Sequence, residues 1–404
     1  MTNGNAMKAT LMKAALLGAI AAGLVGCESK TDTTDISPYV AWSGGRYVTY
    51  AETAEEPGGA IVAVPMPSPP LDPAATLTRI VFASCAQQNE DQSIWDVIAA
   101  ESPDLTLYIG DNVYGDVRSN DPSMPELKAA YMRLAQSAPF ARVRAAAPIL
   151  TVWDDHDYGL NDGGGDYQYK EQAEALFEYV WPAQGEEARR ARPGVYDSWI
   201  AGEEGRRVQI IMLDTRFFRS PLLKTDEYGA RGKERWLPDS DPARTMLGEA
   251  QWTWLEEELK KPADLRLLVS SIQVMSEGHG FEAWREFPLE REKLYDVIEA
   301  SGAENLIVLS GDRHAAALYR RGDVIDYPLF EATSSSLNLP ASVWRAASGE
   351  TYMEDDPNRI GDMVYDANYG LIEIDWEDGV VAVSVRGRDG GALLSERLDL
   401  ATLK

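Results

Sequence analysis

Three carboxylates flank a histidine in Asp154-Asp155-His156-Asp157, directly after the apolar run formed by Ile149, Leu150, Val152 and Trp153. Acids this close repel one another, and a fold accommodates them most easily where a cation or solvent absorbs the charge. Taken alone, the stretch fits a solvated acidic loop as well as a metal site. The same arrangement recurs along the chain. The apolar run 306–309 leads into Ser310-Gly311-Asp312-Arg313-His314, and Leu105–Ile109 leads into Gly110-Asp111-Asn112-Val113-Tyr114-Gly115-Asp116. Arg79–Ala83 ends at Ser84-Cys85. The chain has three histidines, and two of them, His156 and His314, lie in these segments.

A thiolate and a phenolate together are strongly donating and anionic, which suits a hard ion of high charge such as ferric iron. An all-oxygen site suits calcium, magnesium or manganese. Two adjacent cations can each bind a phosphate oxygen and acidify a water between them. A neighbouring histidine, oriented by Asp154 or Asp157, can stabilise or protonate a departing alkoxide. Cys85 has three readings: buried and inert, a nucleophile, or a ligand, and its place at a strand end favours the ligand. Arg216 and Arg219 follow the apolar run 208–213 and Asp214, as partners for that acid or as contacts to phosphate oxygens.

Apolar runs alternating with helical spacing predict an α/β protein, with ligands beyond the carboxyl ends of its strands. Helices are expected over 93–100, 126–134, 140–146, 169–180 and 291–300, and another beginning at Leu247 whose Trp252, Leu255 and Leu259 share a core face. The order strand, helix, strand between 79 and 153 implies largely parallel neighbours. Residues 329–336 read as a mobile polar loop, and His279 as a surface or lid residue in a loop following Gln273. Two late strands, 370–375 and 380–385, read as a closing hairpin turned at Asp378-Gly379.

The 404 residues are 45% hydrophobic, ample for a large core, and carry a formal charge of −27. That charge argues against a nucleic-acid partner but allows a small phosphate ester held locally. Lys8 and Lys13 precede a short apolar run and Leu24-Val25-Gly26-Cys27, which resembles a bacterial lipobox. This predicts a signal peptide over 1–27 and an exported lipoprotein, periplasmic or cell-surface, anchored to a membrane through a lipidated Cys27. Residues 28–78, rich in Pro, Gly and acids, read as a tether with a short strand near 60–64, and 79–404 as the catalytic domain.

The set Ser84-Cys85, Gly110-Asp111-x-x-Tyr114, Trp153-Asp154-Asp155-His156, Leu213-Asp214-Thr215-Arg216 and Ser310-Gly311-Asp312-Arg313-His314 resembles the ordered motifs of the alkaline phosphatase D family, the PhoD-like metallophosphoesterases. The resemblance implies a four-layer α/β/β/α sandwich of two mixed sheets. It implies two or more metal ions, Fe3+ with Ca2+ (or Mg2+ or Mn2+). Asp111 would bridge them, with Cys85, Tyr114 and His314 on one and Asp155 and Asp312 on the other. His156 would meet the phosphoryl group or leaving oxygen rather than a metal, and Arg216 and Arg313 would contact substrate phosphate. Where some relatives have Glu after the histidine and then paired Asn, this chain has Asp157 and Asn161-Asp162, and the family's N-terminal β-domain is expected to be missing or reduced to the tether. The reaction implied is hydrolysis of phosphate mono- or diesters. Two rivals are a hydrolase built on Cys85, His156 and an acid, and a non-catalytic phosphate- or metal-binding lipoprotein.

Overall fold

The structure is a computed structural model and describes residues 40–43, 46–49, 63–182 and 187–404. The chain divides into two units, Met1–Ala60 and Ile61–Lys404. In the first, β1 (Val40–Ser43) and β2 (Arg46–Thr49) pair antiparallel, Val40 opposite Thr49. The expected signal peptide and Cys27 lie outside the described residues.

The second unit holds two large mixed sheets, as the sequence predicts. Its first five strands are β3 (Arg79–Ala83), β4 (Leu105–Ile109), β5 (Ile149–Val152), β6 (Asp197–Ala201) and β7 (Val208–Met212). The short pair β8 (Leu223–Lys224) and β9 (Trp236–Leu237) stands apart. Then follow β10 (Leu265–Val269), β11 (Leu306–Ser310), β12 (Ala316–Arg321), β13 (Leu329–Thr333) and β14 (Arg359–Val364). The chain ends with β15 (Asn368–Asp375), β16 (Val380–Gly387) and β17 (Ala392–Asp399). One sheet runs β17-β16-β15-β3-β4-β5, and the other β14-β12-β13-β11-β10-β7-β6.

Parallel pairing joins β3 to β4, β4 to β5, β7 to β10, β10 to β11 and β11 to β13. β4, β5, β7, β10, β11 and β13 are buried along their whole length, as strands covered on both faces must be. Helices form over Ile94–Ala100, Pro125–Ala135, Ala138–Ala146, Lys170–Val180, Gly248–Leu259 and Pro288–Ser301, close to expectation, and Trp252, Leu255 and Leu259 are buried. The late hairpin forms with Asp375 opposite Val380 and pairs with β3, so the carboxyl-terminal strands complete the sheet that the first strand of the body begins.

Three expectations are corrected. The packed body begins before residue 79: Met66 and Leu77 are buried, and the Met66 N–H donates to the Val180 carbonyl at 2.7 Å. The described part of the expected strand near 60–64 is not in a strand. Residues 329–336 are not a loose polar loop, because 329–333 is the interior strand β13 and Ser334, Ser335 and Ser336 are buried. No helix among the described residues is long and apolar enough to cross a membrane.

Candidate metal centre

Cys85 lies two residues past β3, Asp111 two past β4, Asp154 and Asp155 just past β5, and Asp312 and His314 just past β11. The two sheets meet at these strand ends. A methyl group on Gly110 would stand 2.6 Å from the Asp154 Cβ and 3.1 Å from the Ser271 Cβ, and one on Gly311 would stand 2.5 Å from the Ser84 hydroxyl. Gly311 needs glycine because Ser84 of the opposite sheet runs against it, and Gly110 because Asp154 at the neighbouring strand end of its own sheet and Ser271 of the other sheet both crowd it. Cys85, Asp111, Asp312 and His314 all adopt left-handed backbone, with φ of 56°, 49°, 66° and 53°. Such a conformation costs a non-glycine residue about 1–2 kcal/mol. Held at four of the strand-end residues with ligating side chains, it turns those side chains back over the sheet ends.

The result is one cluster with a shared carboxylate. Cys85, Asp111 and His314 offer ligand atoms within 4.8 Å of one another, and so do Asp111, Asp154, Asp155 and Asp312. The Cys85 thiol donates to Asp111 Oδ2 at 3.4 Å, and the Tyr114 hydroxyl donates to the same oxygen at 3.2 Å. His314 Nδ1 donates to the Leu339 carbonyl at 2.5 Å, which leaves the Nε2 lone pair facing the Tyr114 hydroxyl at 3.2 Å. Ser335 ties two of these groups together, donating to the Cys85 sulfur at 2.9 Å and accepting the His314 N–H at 2.8 Å. The distant segments singled out in the sequence therefore do converge.

Burial pushes the Asp111, Asp155 and Asp312 carboxyls well above the usual carboxylate range, and neighbouring acids push in the same direction. Asp154 Oδ2 and Asp155 Oδ1 are buried without a hydrogen-bond partner. Crowded, desolvated carboxylates with unsatisfied oxygens, beside a thiol, a phenol and an imidazole lone pair, are a donor set that fits cations. Burial also lifts the Cys85 thiol to about 12, the opposite of what a free nucleophile requires, and its sulfur groups with His314 and not with His156.

His156 Nδ1 is 3.1 Å from both oxygens of Asp116, and its Nε2 is 3.6 Å from Asp155 Oδ1. The ring lies against Tyr114, centroids 4.5 Å apart. The orienting acid is thus Asp116, which corrects the expectation of Asp154 or Asp157. Asp154 Oδ1 accepts from Arg216 Nε and from the Ser271 hydroxyl, each at 2.7 Å. Asp157 braces its own turn, accepting from the Asp154 N–H at 2.6 Å and from Asn112 Nδ2 at 2.6 Å.

Both arginines expected on substrate phosphate are engaged with acids. Arg216 is fully buried and spends its fork on Asp154 and on Glu282, the latter at 2.5 Å, so it balances acids behind the cluster instead of waiting for phosphate. Arg313 pairs with Glu354 and lies over the Phe281 ring at 4.7 Å. His279 is buried, not on the surface. Its Nδ1 accepts the Phe281 N–H at 3.2 Å and its Nε2 donates to Gln273 Oε1 at 2.8 Å.

Several contributors escaped the sequence reading. Asp116 stands inside a quoted motif without a role there, and Ser335 falls in the stretch expected as a mobile polar loop. Asp162 and Glu282 form a further acidic group with Asp155. Nothing in the sequence around Glu282 signals this.

Two mixed sheets whose strand ends converge on a shared, buried carboxylate define the metallophosphoesterase-like fold class. Within it, the family model described as PhoD-like phosphatase matches residues 80–383, and the chain belongs to that family. Alkaline phosphatase D of Bacillus subtilis (strain 168) is 24% identical over 58% of this chain, which spans 45% of that relative's length. A solved structure titled "Structure of PhoD" aligns with a TM-score of 0.62 at 18% identity, covering 83% of this chain and 72% of that one, and shows the fold.

Proposed function

We propose that this chain is a metal-dependent phosphoesterase that hydrolyses phosphate mono- or diesters. The observation that carries the reading is Asp111, whose carboxylate belongs at once to the group with Cys85 and His314 and to the group with Asp154, Asp155 and Asp312. Cys85, Tyr114 and His314 would hold one ion, a donor set that suits ferric iron. Asp155 and Asp312 would hold the other, with calcium, magnesium or manganese as the fitting ions. When bound, such a pair supplies Lewis acidity to phosphate oxygens and lowers the pKa of water.

The protein's own residues do the rest. Asp116 fixes the His156 ring and offsets its charge when both nitrogens carry protons. His156 Nε2, at the edge of the acidic cluster, then gives its proton to the ester oxygen as the phosphorus–oxygen bond breaks. Arg216 and Ser271 hold Asp154, keeping the acidic side in register. We further propose that the protein is exported and lipid-anchored through Cys27, a reading supported by the basic, apolar and lipobox-like order of its first residues.

Assay of an aryl phosphate monoester and diester, before and after chelation and with metal returned, tests the function. Chelation is expected to abolish hydrolysis and metal to restore it, while thiol alkylation of the loaded protein leaves activity in place. Activity that survives chelation and falls on alkylation would instead point to a Cys85 hydrolase. Metal binding without turnover would point to a binding module.

A further inference from the structure

The open side of the cluster carries an apolar surface that the chemistry so far does not use. Among the proposed metal ligands Asp312 and His314 are the least covered, so the Asp312–His314 side is open to approach. There the helix Ala341–Ser348 begins directly on the site, its Ala341 N–H donating to the His314 carbonyl at 2.8 Å. Trp344, on its second turn, packs edge-on against the His314 ring with centroids 5.2 Å apart, yet remains 36% exposed. Val343 beside it is 60% exposed. Arg345 donates to the Tyr352 carbonyl at 2.6 Å, bringing exposed Met353 alongside the same helix, and the next residue, Glu354, pairs with Arg313.

An indole, a valine and a methionine left exposed to water near a polar cluster are poor solvation partners, and a flat apolar ligand would relieve that cost. Resting on the phosphoesterase reading, we propose that Trp344, with Val343 and Met353, forms a subsite for the organic group of the ester. It selects phosphate esters of flat, apolar alcohols over those of small polar ones. Continuity with His314 sets the occupant: a phosphate seated at the cluster leaves its ester substituent on this side. The cations nearby are engaged, Arg313 with Glu354, Arg345 with the Tyr365 ring, Arg359 with the Glu354 carbonyl and Arg231 with the Tyr352 ring, so they do not convert the rim into a polyanion site.

The test uses paired probes whose leaving groups are both alkoxides, so that leaving-group acidity does not imitate binding. Metal-loaded protein is titrated calorimetrically with 2-naphthylmethylphosphonate and with ethylphosphonate, and is assayed on the two corresponding phosphate esters. The naphthylmethyl probe is expected to bind about tenfold more tightly or better. Trp344→Ala should erase that preference with metal content unchanged, and Trp344→Phe should retain most of it. Equal affinity for both probes, or a preference that survives Trp344→Ala, overturns the subsite, while hydrolysis of either ester leaves the phosphoesterase reading standing. A Trp344-dependent preference without hydrolysis keeps the subsite and sinks the phosphoesterase reading. Unchanged probe binding in Trp344→Ala together with loss of a dimer, or of binding to phospholipid vesicles, assigns the surface to a second copy or a lipid face and also overturns the proposal.

Discussion

The role proposed for His156 depends on a contact with Asp116 that the local sequence does not display. Both Asp116 oxygens reach Nδ1, which fixes one ring nitrogen as the donor and aims the other toward the acidic cluster. Asp154 and Asp157 are nearer in sequence, but one is held by Arg216 and the other by the backbone of its own turn. Asp116→Asn should therefore lower kcat by roughly a hundredfold, the scale of a lost acid–base contribution. Metal content should be unchanged, and the loss should be larger for alkyl than for nitrophenyl esters, whose leaving oxygens need no proton. Steady-state assays of the two ester types on metal-analysed protein check this. An equal loss on both would assign Asp116 a purely structural role.

At the level of elements, the strand ends were legible because an apolar run stopped abruptly at ligand-type residues. That pattern appears at Cys85, Asp111, Asp155 and Asp312, and it located the cluster. What the pattern left hidden were partners supplied from far along the chain. Ser335 meets Cys85 across 250 positions, and Arg216 meets Asp154 across 62, so no local window contains both members. The serines of 334–336 read as polar loop because hydroxyls usually face water. Here they are interior donors, Ser334 to Asn368 Oδ1, Ser335 to the Cys85 sulfur and Ser336 to the Cys85 carbonyl. The antiparallel β6, β12, β14 and β17 also went unread, three of them with partly exposed or interrupted apolar patterns. Crowding at these strand ends leads to a prediction of its own. Gly110→Ala, at φ 109° with Asp154 only 2.6 Å from the added methyl, should destabilise the fold by roughly 1–3 kcal/mol in urea unfolding. Gly302→Ala, at φ 66° with open space around it, should cost less. If the two variants unfolded alike, Gly110 would not be pressed against Asp154 and Ser271.

Across the whole molecule, a buried acidic cluster ties stability to metal and to pH. In the metal-free protein the Asp111, Asp155 and Asp312 carboxyls sit well above their unfolded range, chiefly through burial. The folded state then prefers the protonated acids. Their contribution is fully present below about pH 4 and is lost as pH rises toward the folded values, by up to about 1.4 kcal/mol per pH unit for each group. Cations reverse the sign by stabilising the ionised acids. The Tm of chelated protein should fall between about pH 5 and pH 8, while that of loaded protein should hold or rise over the same interval. Superimposed curves would mean that the cluster takes up no metal. The most direct test of the central claim is elemental analysis of purified wild-type and Asp111→Asn protein, with hydrolysis of a phosphate ester measured on the same samples. The account predicts that wild-type protein carries a pair of metal ions, and that removing the shared carboxylate charge releases at least one of them and lowers turnover by about a hundredfold or more. An Asp111→Asn protein that kept both its full metal content and its full activity would contradict it.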